Sequence, residues 1–372
     1  MIKTARQLEI KTIKKANKAS AVGRLMLGLI NNWEEFFQCD QIEYEKIPRR
    51  ILKGGKSDIK NRLSKEIDKF CKENFNNLTT ETLTRLYDDI KGKRGIELPL
   101  TEFEKNYGGI NAHVLKGNPK HLTISISLWG LQLKFPEDFL SKDLICGIEI
   151  MSDYSVKLKD FEDKKHVELT TQKEAISKLI RMKEYSQRSI MLTAFNLLES
   201  YLNGIAWDFY NSNGDQNLSN KKIKEIKDTS SVSIRDKLYK YPSIISGIEL
   251  TQDNMINDFL ENIKPFRDSL VHSSPFSAPD KFGGYDKLKK FYDLNEVVVI
   301  LTVWYLVQII KKIQKHIGKV DIPEWLSGLE SFLNEKYSII ITEYGQIGKE
   351  KSRPPMKIEE IAGETSANTP KP

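Results

Sequence analysis

Two long segments with helical periodicity constrain the fold of this chain more than any other feature. Residues 173–210 and 295–316 carry apolar side chains at i, i+3, i+4 and i+7, the spacing that lines one face of a helix. The apolar run at 297–310 covers only about two-thirds of the roughly 20 residues that a helix needs to cross a bilayer. The two segments therefore predict buried core helices, and we expect no contact with a membrane.

Further segments complete a mainly α fold. Helical periodicity is also present in residues 4–37, 56–75, 233–238 and 254–272. Pro265 either kinks the last of these helices or begins its final section. Strand-like alternation occurs at residues 121–135 and 148–158, and more weakly at 164–169.

This pattern predicts four regions. Residues 1–165 form a mostly helical module with a small β element, with a sensing or regulatory role, and residues 170–320 form a helical bundle. A helical extension at 321–344 and a disordered tail at 345–372, rich in Lys, Glu, Ser, Thr and Pro, follow.

Composition favours an intracellular protein. The three cysteines are widely spaced and form no CxxC pair, and the N-terminus lacks the apolar core of a secretory signal, so we expect a cytoplasmic location. The formal net charge of +7 is compatible with a polyanionic partner or with a solvated lysine-rich surface. Residues 1–165 contain no P-loop, GxGxxG or HExxH motif, and we expect neither a cofactor nor a metal.

The sharpest motif is Arg267-Asp-Ser-Leu-Val-His272, at the end of a predicted helix. Along a helix, Arg267 and His272 lie roughly 140° apart, a separation that a long arginine side chain can bridge. Asp268 and His272 are at i and i+4 and share a face. We therefore expect Asp268 to orient the imidazole or to stabilise its positive charge.

These residue types suit cleavage of RNA without a metal ion. A histidine can remove the proton of the 2′-hydroxyl that attacks the neighbouring phosphate. A guanidinium can stabilise the phosphorane through two N–H donors. The motif thus makes Arg267, Asp268 and His272 the candidate catalytic residues.

The order of the motifs resembles the HEPN superfamily. There, an early helix carries a pattern like A/F-x-x-x-E-x-x-L/I-N, which is matched here by Phe195, Glu199, Leu202 and Asn203. Ser233-Ile-Arg-Asp-Lys-Leu238 resembles the helix that often follows. A later helix in the family ends in Arg, a polar residue, three residues and His, which Arg267, Asp268 and His272 match, with Asp where Asn is commoner. The resemblance covers residues 170–320.

The resemblance implies an up-and-down helical bundle that dimerises with both motifs facing a shared cleft. Many members are metal-independent ribonucleases of toxin–antitoxin, abortive-infection and other antiviral systems, controlled by an antitoxin or an activating partner. In that scheme Arg267 stabilises the scissile phosphate, His272 is the acid or base, and Asp268 shapes the site. RNA and a second copy of the chain are then the expected partners.

Two other interpretations stay open. HEPN members without a working motif serve as scaffolds that bind RNA or protein, and the chemistry could instead reside in residues 1–165. Aromatic residues near the motif, among them Phe266 and Tyr292, could stack on unpaired bases or belong to the core. Lysines downstream of the motif, among them Lys289 and Lys290, could follow an RNA phosphate path or form a solvated face.

Overall fold

The computed structural model describes residues 5–38, 78–110, 115, 117–161, 172–213, 218–227, 232–251, 253–273 and 285–344. The chain divides into two compact units, Met1–Phe135 and Pro136–Pro372. Helices dominate, with a small antiparallel sheet, so the prediction of a mainly α fold with a small β element is confirmed. The predicted helix at 56–75, the weaker strand at 164–169 and the tail at 345–372 lie outside the described residues.

The first unit combines helices with a sheet of order β1-β2-β3, in which both strand pairs are antiparallel. Its described elements are α1 (Ala5–Met26), α2 (Trp33–Gln38), α3 (Thr80–Lys93), β1 (Ile96–Pro99), α4 (Leu100–Tyr107), β2 (Thr123–Ser127) and β3 (Gly130–Lys134).

Local sequence explains several of these boundaries. The helix predicted at 4–37 is two helices, because Gly28 takes a left-handed conformation with φ +69° that ends the first. The strand-like segment 121–135 is a hairpin, β2 and β3, rather than one strand. Thr79 caps α3 by accepting a hydrogen bond from the Thr82 amide, and the Thr82 hydroxyl accepts one from the Thr79 amide.

The core of the first unit lies between α1 and α3 and under the sheet. Tyr87 of α3 is fully buried, its ring centroid lies 4.8 Å from that of Phe36, and its hydroxyl donates to the Phe37 carbonyl at 3.2 Å. This hydrogen bond offsets the free-energy cost of burying the hydroxyl, so the Tyr87 ring can add its apolar surface to the core.

The second unit is helical in its described part. Its elements are α5 (Pro136–Lys159), α6 (Lys173–Asn213), α7 (Asn220–Ile226), α8 (Ile234–Ser246), α9 (Asn254–Asp258), a π turn (Phe259–Ile263), α10 (Lys264–Val271), α11 (Tyr285–Tyr292), α12 (Glu296–His316) and α13 (Glu324–Tyr344).

The strand predicted at 148–158 was wrong, because these residues belong to α5. Leu144, Ile148 and Met151 are buried at i, i+4 and i+7, which is helical spacing, and they pack on α6. A Cβ added at Gly147 would meet the Ile190 side chain at 2.9 Å, so the glycine permits close approach of the two helices. This packing places α5 in the second unit, whose boundary precedes the one predicted at residue 165.

Packing also carries α8 through Pro242, beyond the predicted helical segment 233–238. Proline removes one hydrogen bond from a helix interior. Here Leu238, Tyr241 and Ile244 are buried on either side of it, and the helix continues to Ser246. The apolar packing of these neighbours outweighs the loss of one bond.

Helix α12 is the centre of the second unit. Val298 to Leu301 are all fully buried, as are Val307, Ile309 and Ile310, so the prediction of a buried core helix is confirmed. Helices α6 and α13 pack against it. Among the described residues, no helix has the length and apolar content needed to cross a bilayer.

Candidate functional site

The motif lies at the end of one interrupted helix. Asp253 caps α9 by accepting hydrogen bonds from the amides of Met255 and Ile256. The π turn follows and leads into α10, where Pro265 occupies the first turn. A proline lacks an amide hydrogen and crowds the carbonyl four residues before it, and a π turn widens the helix at that point. Pro265 therefore begins the final section of the helix, one of the two predicted alternatives.

The π turn is anchored on both sides. Phe259 is fully buried and stacks on Phe195 of α6, with ring centroids 5.1 Å apart. Its ring centroid lies 6.4 Å from that of Tyr305 of α12, and the Tyr305 hydroxyl donates to the Asp258 carboxylate. Burial, together with this hydrogen bond, raises the pKa of Tyr305 well above its ordinary value, so the hydroxyl remains a donor.

Replacing Phe259 by alanine should cost about 3–5 kcal/mol of unfolding free energy, because a buried ring is lost and a cavity remains. Urea unfolding followed by circular dichroism measures this loss. The control is Tyr292→Ala, which truncates a ring that is 71% exposed and should change stability by about 0.5 kcal/mol or less. A loss below about 1 kcal/mol for Phe259→Ala would show that the π turn is not anchored as described.

Arg267 is held on two sides. Its side chain is 27% exposed, and one guanidinium nitrogen donates to the Asp268 carboxylate at 3.3 Å. The guanidinium carbon lies 5.9 Å from the centroid of the Phe195 ring, a cation–π distance. Five N–H donors in a rigid plane are thus fixed at a half-buried position, which suits recognition of a phosphate.

Asp268 binds cations with both carboxylate oxygens. Lys264, one helical turn earlier, donates to one oxygen, and Arg267 donates to the other. Two positive charges therefore share one carboxylate. The described side-chain contacts of Asp268 are with these two cations, and its expected role in orienting His272 stays a prediction.

His272 ends the helix. Its backbone has φ −121° and ψ 57°, outside the helical region, and its amide donates to the Asp268 carbonyl at 2.9 Å. The residue is exposed. The structure thus brings Arg267 and Asp268 together through side chains, and joins His272 to Asp268 through the main chain.

Cations lie over aromatic rings on the three helices around the motif. The Lys290 ammonium of α11 lies 5.0 Å from the centroid of Phe266, and the Arg188 guanidinium of α6 lies 5.5 Å from that of Phe291. Together with the contact between Arg267 and Phe195, these contacts connect α6, α10 and α11 to one another. Phe266 directly precedes Arg267 on α10, and Phe195 lies two turns beyond Arg188 on α6. We call this set the cation–aromatic belt: Arg188, Phe195, Phe266, Arg267, Lys290 and Phe291.

The burial of the aromatic residues near the motif shows which of them belong to the core and which could stack on bases. Phe266 is 2% exposed and belongs to the core, whereas Tyr292, beside the belt on α11, is exposed and available for stacking. Lys264 and Arg188 were not identified from the sequence. The i, i+4 spacing of Lys264 and Asp268 could have revealed the first, but no local signal connects Arg188 with Phe291.

A buried hydrogen bond joins the sequence pattern of α6 that ends at Asn203 to the Ser233–Leu238 segment of α8. Lys237 is 5% exposed, and its ammonium donates to the Asn203 side-chain carbonyl at 3.1 Å. Asn203 ends the pattern in α6, and Lys237 lies in the Ser233–Leu238 segment of α8. A buried ammonium requires such partners, so this contact ties α8 to α6.

Comparisons with known proteins add no relative. No protein-family model, no curated protein and no solved structure matches this chain.

Proposed function

We propose that this protein is a metal-independent endoribonuclease of the HEPN type. The observation that carries the proposal is the placement of Arg267, which is half-buried between Phe195 and Asp268, at a helix end that terminates in the exposed His272. A fixed guanidinium beside an accessible imidazole supplies a phosphate-binding group and a proton-transfer group.

The reaction follows from these two groups. His272 removes the proton of a 2′-hydroxyl, whose oxygen attacks the adjacent phosphorus. Arg267 stabilises the negative charge of the phosphorane. The bond to the 5′-oxygen then breaks, and that oxygen takes up a proton from a protonated imidazole, that of His272 or of its counterpart in the partner copy. The products are a 2′,3′-cyclic phosphate and a 5′-hydroxyl. In a homodimer, the partner copy supplies a second Arg and His to the same cleft.

Single-stranded RNA is the substrate class that the surroundings favour. The cation–aromatic belt presents positive charge from three helices, and Tyr292 exposes a ring beside it. Cationic grooves with exposed aromatic rings bind unpaired nucleotides by charge and stacking. We place the activity in the cytoplasm, in antiviral defence, abortive infection or toxin-type growth arrest under an antitoxin or activating partner.

Incubation of the purified full-length chain with total RNA and tRNA in EDTA tests the proposal. We expect cleavage that leaves 2′,3′-cyclic phosphate and 5′-hydroxyl ends, mapped by end-specific ligation. Cleavage that requires a divalent cation, or that leaves 3′-hydroxyl ends, would contradict the mechanism. If the protein binds RNA without cleaving it, and if expression of the gene is not toxic to cells, the non-catalytic scaffold would be favoured.

Two substitutions at Asp268 separate its charge from its hydrogen bond. In Asp268→Asn, an amide oxygen still accepts from Arg267, so we expect cleavage within a few-fold of wild type. In Asp268→Ala, Arg267 loses its acceptor, and kcat should fall by roughly tenfold, the effect of about 1.4 kcal/mol. Initial rates under saturating RNA measure both variants. Equal activity of Ala and wild type would show that Asp268 does not position Arg267.

A further inference from the structure

A pocket of about 480 Å³ opens on the first unit. The end of α3, strand β1 and helix α4 form its walls. Ile96, Leu98 and Tyr107 contribute apolar surface, and charged side chains from both helices also line the pocket. Sites for small molecules usually have volumes of about 300–1,000 Å³, with a few polar groups placed on an apolar lining.

Two of the three acidic residues that line this pocket have a side-chain partner, and only one of those partners is a cation. Asp89 accepts a hydrogen bond from the Tyr107 hydroxyl, and Glu97 binds the Lys134 ammonium at 2.5 Å. Burial and the Asp89 carboxylate raise the pKa of Tyr107, so its hydroxyl stays protonated as the donor. Among the lining carboxylates this leaves Glu102 without such a contact in the described part of the chain.

The basic residues that line the pocket have no such ion-pair partners among the described residues. Arg85, Lys93 and Lys105 line the pocket, and none of the three forms an ion pair with another described residue. Arg85 lies over the Tyr107 ring, with its guanidinium carbon 5.7 Å from the centroid, which holds the guanidinium at the wall. The Tyr107 hydroxyl is neutral and leaves the negative charge of Asp89 in place, so three cations face two carboxylates, Asp89 and Glu102, with one net positive charge.

The free edge of β1 adds a main-chain donor. The Leu100 amide donates to the Leu122 carbonyl at 2.9 Å, and pairing alternates along an antiparallel strand. The amide of Glu97 consequently points away from β2, toward the edge that lines the pocket. Pro99, the next residue with this orientation, has no amide hydrogen to leave exposed.

We propose that this pocket binds a small phosphorylated molecule. A phosphate carries up to two negative charges and several acceptor oxygens, which match the guanidinium of Arg85 and the ammonium groups of Lys93 and Lys105. Glu102 and Asn106 are placed to bind hydroxyl or amino groups of the same ligand. The site is independent of the proposed nuclease motif.

Calorimetric titration of the full-length chain with AMP, ribose 5-phosphate, inorganic phosphate and adenosine tests this site. We expect both phosphate esters to bind, adenosine to bind at least tenfold more weakly than AMP, and affinity to fall with added salt. Binding of inorganic phosphate as tight as that of AMP would identify the free anion as the ligand of the same cationic site. The proposal would be overturned if adenosine bound as tightly as AMP. It would also be overturned if no phosphate probe bound at a concentration of roughly 10 mM, which detects even weak sites.

Matched variants locate the site. Arg85→Ala and Lys105→Ala change exposed side chains, so they should fold, and each should weaken AMP roughly tenfold. Arg85→Lys keeps the charge but loses the planar donors and should lie between Ala and wild type. Lys14→Ala removes an exposed charge on α1 outside the pocket lining and should bind AMP as wild type does. Equal weakening by Lys14→Ala would show that AMP responds only to net charge.

Discussion

We expect His272→Ala to abolish RNA cleavage in EDTA and to leave the fold intact. Removing the imidazole would remove the proposed general acid or base, which is typically worth 10²–10⁴-fold in rate, so cleavage should fall by about that factor or more. His272 is exposed at the end of α10 and contributes little to the core, so the melting temperature should stay close to that of wild type. Single-turnover cleavage and thermal unfolding measure the two quantities on the same preparation.

His316→Ala is the matched control for this experiment. His316 ends α12 in the same unit, and its Nε2 atom lies 3.0 Å from the Ile248 carbonyl and 3.1 Å from the Ser246 hydroxyl. Its role is a structural link between α12 and the end of α8, so we expect normal cleavage. Cleavage by His272→Ala at the wild-type rate would exclude His272 from the reaction. Equal losses in both variants would point to a structural cause.

Arg267→Lys should also lose most of its cleavage activity, although the charge is conserved. Lysine provides one point charge in place of a planar set of donors, and it loses the guanidinium contact with the Phe195 ring. Loss of preorganised stabilisation of a transition state costs about 10²–10³-fold in kcat. We expect that fall in kcat with a smaller change in KM, measured by steady-state cleavage of a labelled RNA.

The control for this substitution is Arg235→Lys. Arg235 is an exposed arginine on α8, in the same unit and outside the cation–aromatic belt. It should keep wild-type kcat and KM. An Arg267→Lys enzyme with wild-type kcat would show that the phosphate needs only a positive charge there. A rise in KM at constant kcat would assign Arg267 to substrate binding alone.

Periodicity predicted the long helices well, because burial on one face repeats along the chain. Helices α6 and α12 lie where the apolar spacing placed them. The same rule, applied to α5, should have given a helix, but branched residues suggested a strand there. Strand β1 is only four residues long and depends on pairing with distant β2, which local sequence does not encode.

The candidate site was partly predictable for the same reason. Residues one helical turn apart, such as Lys264 and Asp268, could be paired from spacing alone. Contacts between helices, such as Arg267 with Phe195 or Arg188 with Phe291, depend on tertiary packing. The sequence indicated the unusual position of Pro265, but the helix type that accommodates it came only from the structure.

The π turn has a consequence for how the orientation of the motif is set. A π turn holds one residue more than the α-helical turn it replaces, so removing one residue from Phe259–Ile263 would restore a regular helix. Without such a deletion, a regular α-helix over the same residues would rotate everything beyond by about 100° and advance it by about 1.5 Å. Arg267 would leave the ring of Phe195, and Asp268 would turn with it. The orientation of the motif therefore depends on the π conformation of Phe259–Ile263, a segment that contains none of its residues.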